Sequence, residues 1–213
     1  MSNRLYHERL YRGDRLMEQA RDAPVTVCGA GALGANIVES LARQGFTTLK
    51  VIDRDRVQER NLSTQPYHVS DVGALKAKIL ANSVFRAVGV AVQGQTMELT
   101  PENAGRLLGG SALVLDVFDN SQSRRAVKEY CDGASLPCLH VGLAADYAEV
   151  IWNEAYRVPS VANDDVCDYP LARNLVMLAV AVACETVVEF LSKGARSSFT
   201  ITLRDFSIRQ YTT

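Results

Sequence analysis

The chain has 213 residues, 47% of them hydrophobic and 22% charged, which is typical of a folded globular protein and excludes a disordered, collagen-like or coiled-coil chain. Its formal net charge of -1 gives no overall positive field to hold nucleic acid. Five cysteines without a CxxC pair exclude a disulfide scaffold and the usual four-cysteine site, so we expect no zinc. The start of the chain lacks the apolar core of a signal peptide, and its longest apolar run, 175–184, is too short to span a bilayer. We therefore expect a cytoplasmic protein without a membrane partner.

Helical and strand patterns alternate through the first two thirds of the chain. Residues 6–22 are charged and helix-prone, and they predict an N-terminal helical arm within 1–22. The predicted elements that follow are a strand at 25–28, a helix at 31–44, a strand at 49–52, an amphipathic helix at 74–87, a strand at 90–95, a helix from Pro101, a strand at 112–116, a helix at 123–131 and a strand at 138–142. This alternation predicts a parallel sheet with crossover helices.

The pattern changes after residue 142. A strand at 149–152 follows too soon for a crossover helix, which predicts antiparallel pairing. After loop-like residues 153–169, a helix at 171–191 is apolar on nearly all sides and therefore central. Strands at 199–203 and 206–208 predict a terminal hairpin. We expect a single domain over 1–213 with a Rossmann-like doubly wound mixed sheet, parallel in its N-terminal half and antiparallel in its C-terminal strands.

A glycine-rich turn joins the first predicted strand to the first long helix. Its residues, Gly29-Ala30-Gly31-Ala32-Leu33-Gly34, match GxGxxG. Glycines let the backbone approach a phosphate closely, and the helix N-terminus directs free N–H groups at the anion. Asp53 ends the second strand, where a carboxylate can bind ribose hydroxyls. These features fit a nicotinamide or flavin enzyme as well as an ATP enzyme.

Three further motifs follow in order and separate these possibilities. They are Asp53-x-Asp55-x-Val57-x-x-x-Asn61-Leu62-x-x-Gln65, then Gly73-x-x-Lys76, and finally Asp116-x-x-Asp119-Asn120 followed by Arg124. From about residue 6 to the C-terminus, the chain resembles the ThiF/MoeB/HesA superfamily of ubiquitin-activating-type adenylating enzymes. An ordinary dehydrogenase has no reason to carry this set of motifs.

The resemblance implies an activity and a site. Members use MgATP to adenylate the C-terminal glycine of a ubiquitin-like or sulfur-carrier β-grasp protein, and they release pyrophosphate, in some cases before transfer to a thiol. The resemblance also implies a homodimer. Because the family's four zinc-binding cysteines are missing from this chain, it implies no structural zinc. The roles that it implies are ribose binding for Asp53, phosphate contact for Asn61 and Lys76, magnesium binding for Asp119, positions in the site wall for Asp55 and Gln65, and positions at the nucleotide for Gly29, Gly31, Ala32, Gly34, Asn120 and Arg124.

The chain departs from the family pattern at one position. The pattern NLxRQ has an arginine that faces the triphosphate, where this chain has Thr64. Threonine cannot replace a bidentate cation. In the dimeric enzymes the partner's N-terminal arm can deliver an arginine, and here we expect Arg9, with Arg12 second. Alternatively, Arg124 or its neighbour Arg125 replaces the missing arginine, or the chain turns over ATP only weakly.

Cys167 is the cysteine that the resemblance singles out. It lies in a polar stretch before the predicted central helix, where sulfur-carrier members have a reactive cysteine. Nearby acids favour a thiol over a thiolate, so an ordinary loop cysteine is an equal alternative. The other cysteines are expected to be structural. Two other functions stay open: a degenerate scaffold that binds ATP or a carrier, and a dinucleotide-dependent Rossmann oxidoreductase.

Overall fold

A computed structural model describes residues 3–159 and 170–211. One eight-stranded sheet with the order β3-β2-β1-β4-β5-β6-β7-β8 forms the centre of the molecule. Its strands are β1 Val25–Cys28, β2 Leu49–Ile52, β3 Gln93–Gln95, β4 Leu113–Asp116, β5 Cys138–Ala144, β6 Tyr147–Trp152, β7 Ser198–Thr202 and β8 Ser207–Tyr211. The first five pair in parallel and the rest antiparallel, as the sequence predicted.

Seven α-helices occur in the described residues. They are α1 Tyr6–Arg12, α2 Asp14–Asp22, α3 Ala32–Gln44, α4 Lys76–Val88, α5 Pro101–Leu108, α6 Ser121–Gly133 and α7 Arg173–Lys193. Short 3-10 turns occur at Asn3–Leu5, Glu59–Asn61 and Val69–Asp71. The predicted arm is therefore two helices separated by Gly13. The predicted strand at 90–95 keeps only its last three residues, Gln93–Gln95.

The helices cover both faces of the sheet. Helices α3, α4 and α7 pack with β1, β2 and β6 into the larger core, while α5 and α6 pack over the other face. By length and composition alone α7 could cross a membrane. However, it packs against α2, α3 and the antiparallel strands, so it is the central helix that the sequence predicted.

The topology creates one distinct edge. Strand β1 lies between β2 and β4, and the three strands run parallel. Their connections leave on opposite faces, since α3 follows β1 on one face and α6 follows β4 on the other. Ligands of such sheets bind beyond the carboxyl ends of the strands at this switch point. The glycine turn, Asp53 and the segment after Asp116 all lie there.

Candidate nucleotide site

The glycine turn follows β1 directly and is held by its neighbours. Gly29 has a φ of 113°, which favours glycine, and its N–H donates to the Ile52 carbonyl at 2.8 Å. The Ala30 N–H donates to Asp53 Oδ2 at 2.6 Å, and the Tyr67 hydroxyl donates to the Ala30 carbonyl at 2.8 Å. The turn therefore has a fixed shape without any ligand.

Two glycines of the motif have different surroundings. A Cβ on Gly34 would lie 2.0 Å from the Gly29 carbonyl oxygen, so only glycine fits where α3 crosses the turn. A Cβ on Gly31 would meet no protein atom within 4 Å. Gly31 caps α3, and Ala32 is the first helical residue, so the free N–H groups of the first turn open onto this space. The space is suited to an anion at the helix N-terminus.

Asp53 is a buried carboxylate at the centre of the edge. It is only 7% exposed, and burial raises its pKa, which Lys76 and the N–H groups of Ala30 and Asp55 partly offset. Asp53 Oδ1 accepts the Asp55 N–H at 2.7 Å. Each carboxylate oxygen keeps a lone pair for another donor, such as a ribose hydroxyl.

Lys76 is buried, although it lies on a helix that the sequence predicts to be amphipathic. It is the first residue of α4 and is 8% exposed. The backbone N–H of Lys76 donates to the Asp55 carbonyl at 2.9 Å, and the side-chain Nζ lies 3.5 Å from Asp55 Oδ2. A lysine held among carboxylates at this edge can neutralise charge on a phosphate.

Residues 61–65 form a turn against the first turn of α3. Asn61 Oδ1 accepts the Gln58 N–H at 2.9 Å and so caps a 3-10 turn, which leaves only its Nδ2 group for the predicted phosphate contact. Gln65 is 7% exposed, and its Oε1 is buried without a hydrogen-bond partner among the described residues. Thr64 is 5% exposed, so its side chain faces inward.

The same turn is connected to α3 through Asn36. Asn36 Nδ2 donates to the Ala32 carbonyl at 2.7 Å and to the Thr64 carbonyl at 2.9 Å. Arg173, the first residue of α7, donates from Nη1 to the Ser63 carbonyl at 3.2 Å. Helix α7 therefore contacts the turn beside the N-terminus of α3.

The segment after β4 depends on a buried ion pair. Asp116 is fully buried; Arg124 Nη1 lies 4.0 Å from its Oδ2, and His140 Nδ1 lies 2.8 Å from the same oxygen. Burial by itself raises the pKa of Asp116, but Arg124 and His140 hold it below its ordinary value. Arg124 also donates to the Phe118 carbonyl at 2.5 Å and to the Tyr156 hydroxyl at 2.9 Å. Arg124 thus positions the loop after β4.

A chain of hydrogen bonds continues from this pair to the surface. His140 Nε2 lies 2.5 Å from Asn153 Oδ1, and Asn153 Nδ2 donates to Asp132 on α6. Because Asp132 can only accept, the amide of Asn153 is oriented with its oxygen toward the ring. Both nitrogens of His140 therefore face acceptors. The ring of Tyr156 stacks on it at 3.8 Å.

Asp119 and Asn120 have different roles in this loop. Asn120 caps α6, with its Oδ1 accepting the Ser123 N–H at 2.8 Å. Asp119 is exposed and makes no ion pair with any residue in 3–159 or 170–211. It is free to bind a cation at this edge. Direct nucleotide contact by Asn120 and Arg124 stays a prediction.

The two predicted arm arginines lie in different environments. Arg9 Nη1 pairs with Asp14 of the same chain at 2.8 Å, and the side chain is 38% exposed. Arg12 is 9% exposed, pairs with Glu8 at 2.6 Å and binds Glu185 on α7; these contacts raise its pKa above the ordinary arginine value. Arg12 therefore holds the arm against α7 of its own subunit, and its place as second donor stays a prediction.

The cysteines fall into two groups. Four are buried, as predicted: Cys28, Cys131, Cys138 and Cys184. Burial raises the pKa of Cys184 to about 12 and the pKa values of Cys28 and Cys138 well above the ordinary thiol value. Cys167 lies outside the described residues, so its predicted role as an acceptor thiol stays a prediction.

Sequence reasoning missed several residues that shape the site. Asn36 is a polar residue on the buried side of an otherwise apolar helix, a signal that could have been noticed. Three other residues contact the site only through tertiary packing, and they belong to none of the sequence motifs: Tyr67, His140 and Arg173.

The fold and the glycine turn define a nucleotide-binding α/β domain whose site lies at the carboxyl edge of β2, β1 and β4. The chain belongs to the ThiF family, whose sequence profile matches residues 3–168.

Relatives in this family have more than one activity. The sulfur carrier protein ThiS adenylyltransferase of Bacillus subtilis is 28% identical over 153 residues, 69% of this chain and 46% of that protein. The tRNA threonylcarbamoyladenosine dehydratase of Escherichia coli is 29% identical over 138 residues, 63% of this chain and 51% of that protein. The chain thus spans about half the length of these relatives. The fold is similar to that of Escherichia coli MccB solved with ATP, with a TM-score of 0.82 and 18% identity over 100% of this chain and 72% of MccB.

Proposed function

We propose that this chain uses ATP to adenylate the C-terminal glycine of a ubiquitin-like or sulfur-carrier β-grasp protein. The carrier carboxylate attacks the α-phosphorus, the bond between that phosphorus and the bridging oxygen of pyrophosphate breaks, and an acyl-adenylate forms. The reaction requires in-line placement of the carboxylate and neutralisation of the triphosphate. The adenylyltransferase relatives support this choice.

The observation that carries the proposal is the arrangement of Gly31, Asp53 and Lys76 around one open space. The N-terminus of α3 faces this space without a side chain in the way. A buried carboxylate and a buried lysine flank it, and they suit a ribose and a phosphate respectively. An oxidoreductase has no evident use for the lysine.

Magnesium fits the free carboxylate of Asp119. A hard divalent cation takes oxygen ligands from one or two carboxylates and from substrate phosphates. Asp119 is an exposed carboxylate beside the glycine turn, and in the described ranges it has no competing ion pair. When bound, the ion would offset charge on the leaving pyrophosphate. The protein's own contribution is to position Asp119, through the buried pair that shapes the loop after β4.

Self-association and location are parts of the same proposal. Helix α1 exposes Tyr6, Leu10 and Tyr11, of which Tyr11 is 83% exposed. An apolar helix surface of this kind supports a homodimer through the arm, which would bring Arg9 toward the partner's ATP. Light scattering would give the oligomeric state. A cytoplasmic location remains our expectation.

Pyrophosphate–ATP exchange tests the activity. The probe is a small β-grasp protein ending in Gly-Gly, supplied with MgATP and labelled pyrophosphate. We expect carrier-dependent exchange that is lost in Lys76→Met and retained in Lys193→Met, a matched change at an exposed position. Folded protein that supports no exchange with any carrier of a representative panel would contradict the proposal.

Other outcomes identify the alternatives. ATP binding without exchange would indicate a degenerate scaffold, whereas tight NAD binding without ATP binding would indicate an oxidoreductase. Exchange that depends on tRNA bearing threonylcarbamoyladenosine, and not on a carrier, would place the chain with its dehydratase relatives.

A further inference from the structure

Arg173 occupies a position that its own helix does not favour. It is the first residue of α7, at the positive end of the helix dipole, where a cation is unfavourable. The first turn of α7 contains no acidic residue that could compensate. Within residues 3–159 and 170–211, Arg173 makes no ion pair, and its side chain is exposed. The described residues of the helix therefore give no reason for the charge.

The side chain nevertheless has a defined direction. Its Nη1 donates to the Ser63 carbonyl at 3.2 Å, in the turn that Asn36 ties to the first turn of α3. Helices α3 and α7 also pack against each other. The guanidinium is therefore held beside the N-terminus that opens onto the proposed triphosphate space. A guanidinium has five N–H donors, so one bond to a carbonyl leaves most of them available.

The site needs another positive charge. Lys76 is partly neutralised by Asp53 and Asp55, which lie close to it. A triphosphate carries more negative charge than one lysine and a helix N-terminus offset. Thr64, where the family pattern has an arginine, is a neutral side chain buried at 5% exposure. A cation of the same subunit that replaces this arginine has to come from another part of the chain.

We propose that Arg173 binds the β- or γ-phosphate oxygens of ATP, in place of the arginine that the family pattern has at position 64. The inference rests on the proposed function, because it assigns a residue to the triphosphate of that reaction. A planar guanidinium can contact two phosphate oxygens at once, which a lysine cannot. Arg173 moves from the Ser63 carbonyl onto the phosphates when the nucleotide enters.

Titration calorimetry with two nucleotides tests this assignment. The full chain is titrated with MgATP and separately with AMP, which lacks the β- and γ-phosphates. Arg173→Ala should weaken MgATP binding about 10- to 100-fold and change AMP affinity by less than about threefold. The MgATP affinity of Arg173→Lys should lie between that of the wild type and that of Arg173→Ala. Arg43→Ala, which removes an exposed arginine from α3 beyond the site, should leave both affinities unchanged.

The outcomes separate the two proposals. Wild-type protein that binds no MgATP contradicts the proposed function and this inference together. If wild type binds MgATP and Arg173→Ala binds it equally well, the inference is wrong while the proposed function stands. Equal losses of MgATP and AMP affinity would also overturn it, since they indicate a disturbed turn. Melting curves establish that each variant is folded, and Arg173→Lys serves if Arg173→Ala does not fold.

Discussion

Replacement of Asp116 by asparagine tests the buried charge network behind the nucleotide edge. Asparagine is nearly the same size, so the change removes the negative charge and leaves Arg124 and His140 without their carboxylate. At 4.0 Å the attraction between Asp116 and Arg124 is roughly 4 kcal/mol for an effective dielectric constant of about 20. Breaking a buried pair on one side costs about 3–5 kcal/mol, because an uncompensated charge remains. We expect a loss of this size for Asp116→Asn.

Thermal and urea melts measure this loss. In a chain of this length, about 3–5 kcal/mol corresponds to a fall in Tm of about 6–20 °C. Asp14→Asn is the matched control, because it breaks an aspartate–arginine pair at the surface, where Asp14 is 76% exposed. The control should stay within about 1 kcal/mol of wild type. If the two variants lose the same free energy of unfolding, or if Asp116→Asn loses less than about 1 kcal/mol, the buried pair does not stabilise the fold as we infer.

The dependence of this loss on pH has a definite sign. The pKa of Asp116 is lowered in the folded state, so the native protein binds fewer protons at this site than the unfolded chain. The contribution of the carboxylate is complete above the unfolded value of about 3.9 and is lost as the pH falls below it. The stability gap between wild type and Asp116→Asn should therefore narrow from pH 5 to pH 3. A stability gap that widens from pH 5 to pH 3 would show that the pKa of Asp116 is not lowered in the folded protein.

Three further predictions concern the glycine turn and the thiols. Gly34→Ala should destabilise the protein by about 1–3 kcal/mol or more, because its Cβ would lie 2.0 Å from a backbone oxygen. Gly31→Ala should have the melting temperature of the wild type but bind ATP more weakly, since its Cβ would meet no protein atom. Equal melting points for the two variants would contradict this. Tyr67→Phe should cost about 1–3 kcal/mol in urea melts, because it leaves the buried Ala30 carbonyl without its donor; an unchanged midpoint would argue against this bond. Iodoacetamide should leave the buried thiols of Cys28, Cys131, Cys138 and Cys184 unlabelled in native protein, and fast labelling of any of them, read by peptide mass spectrometry, would disprove this.

Local patterns explain why the glycine turn was predictable. A buried four-residue strand, GxGxxG and a helix follow one another in the chain, and Asp53 directly follows the next strand, so neighbouring residues carry the whole signal. The change from parallel to antiparallel pairing was also predictable, because only two residues separate β5 from β6 and no crossover helix fits there.

The remaining features depend on contacts between distant parts of the chain. Arg124 was predicted to lie at the nucleotide, and its motif gave no sign that Tyr156 and the carbonyl of Val141, from distant segments, bind it in a buried position. His140 belongs to none of the sequence motifs, and its hydrogen-bond partners Asp116 and Asn153 lie on other segments. Similarly, the strand predicted at 90–95 shortened to Gln93–Gln95, because β3 pairs with β2 only there.

Intact mass spectrometry can detect adenylation of a carrier protein without relying on a coupled readout. The protein is incubated with MgATP, inorganic pyrophosphatase and a β-grasp carrier ending in Gly-Gly, and the carrier is weighed before its adenylate hydrolyses. With wild-type protein we expect a carrier that is heavier by one AMP group. We expect no such gain in mass with Asp119→Ala or with a carrier that lacks its terminal glycines. If every carrier of the panel stays unmodified in the presence of folded, ATP-binding wild-type protein, the proposed adenylation is wrong.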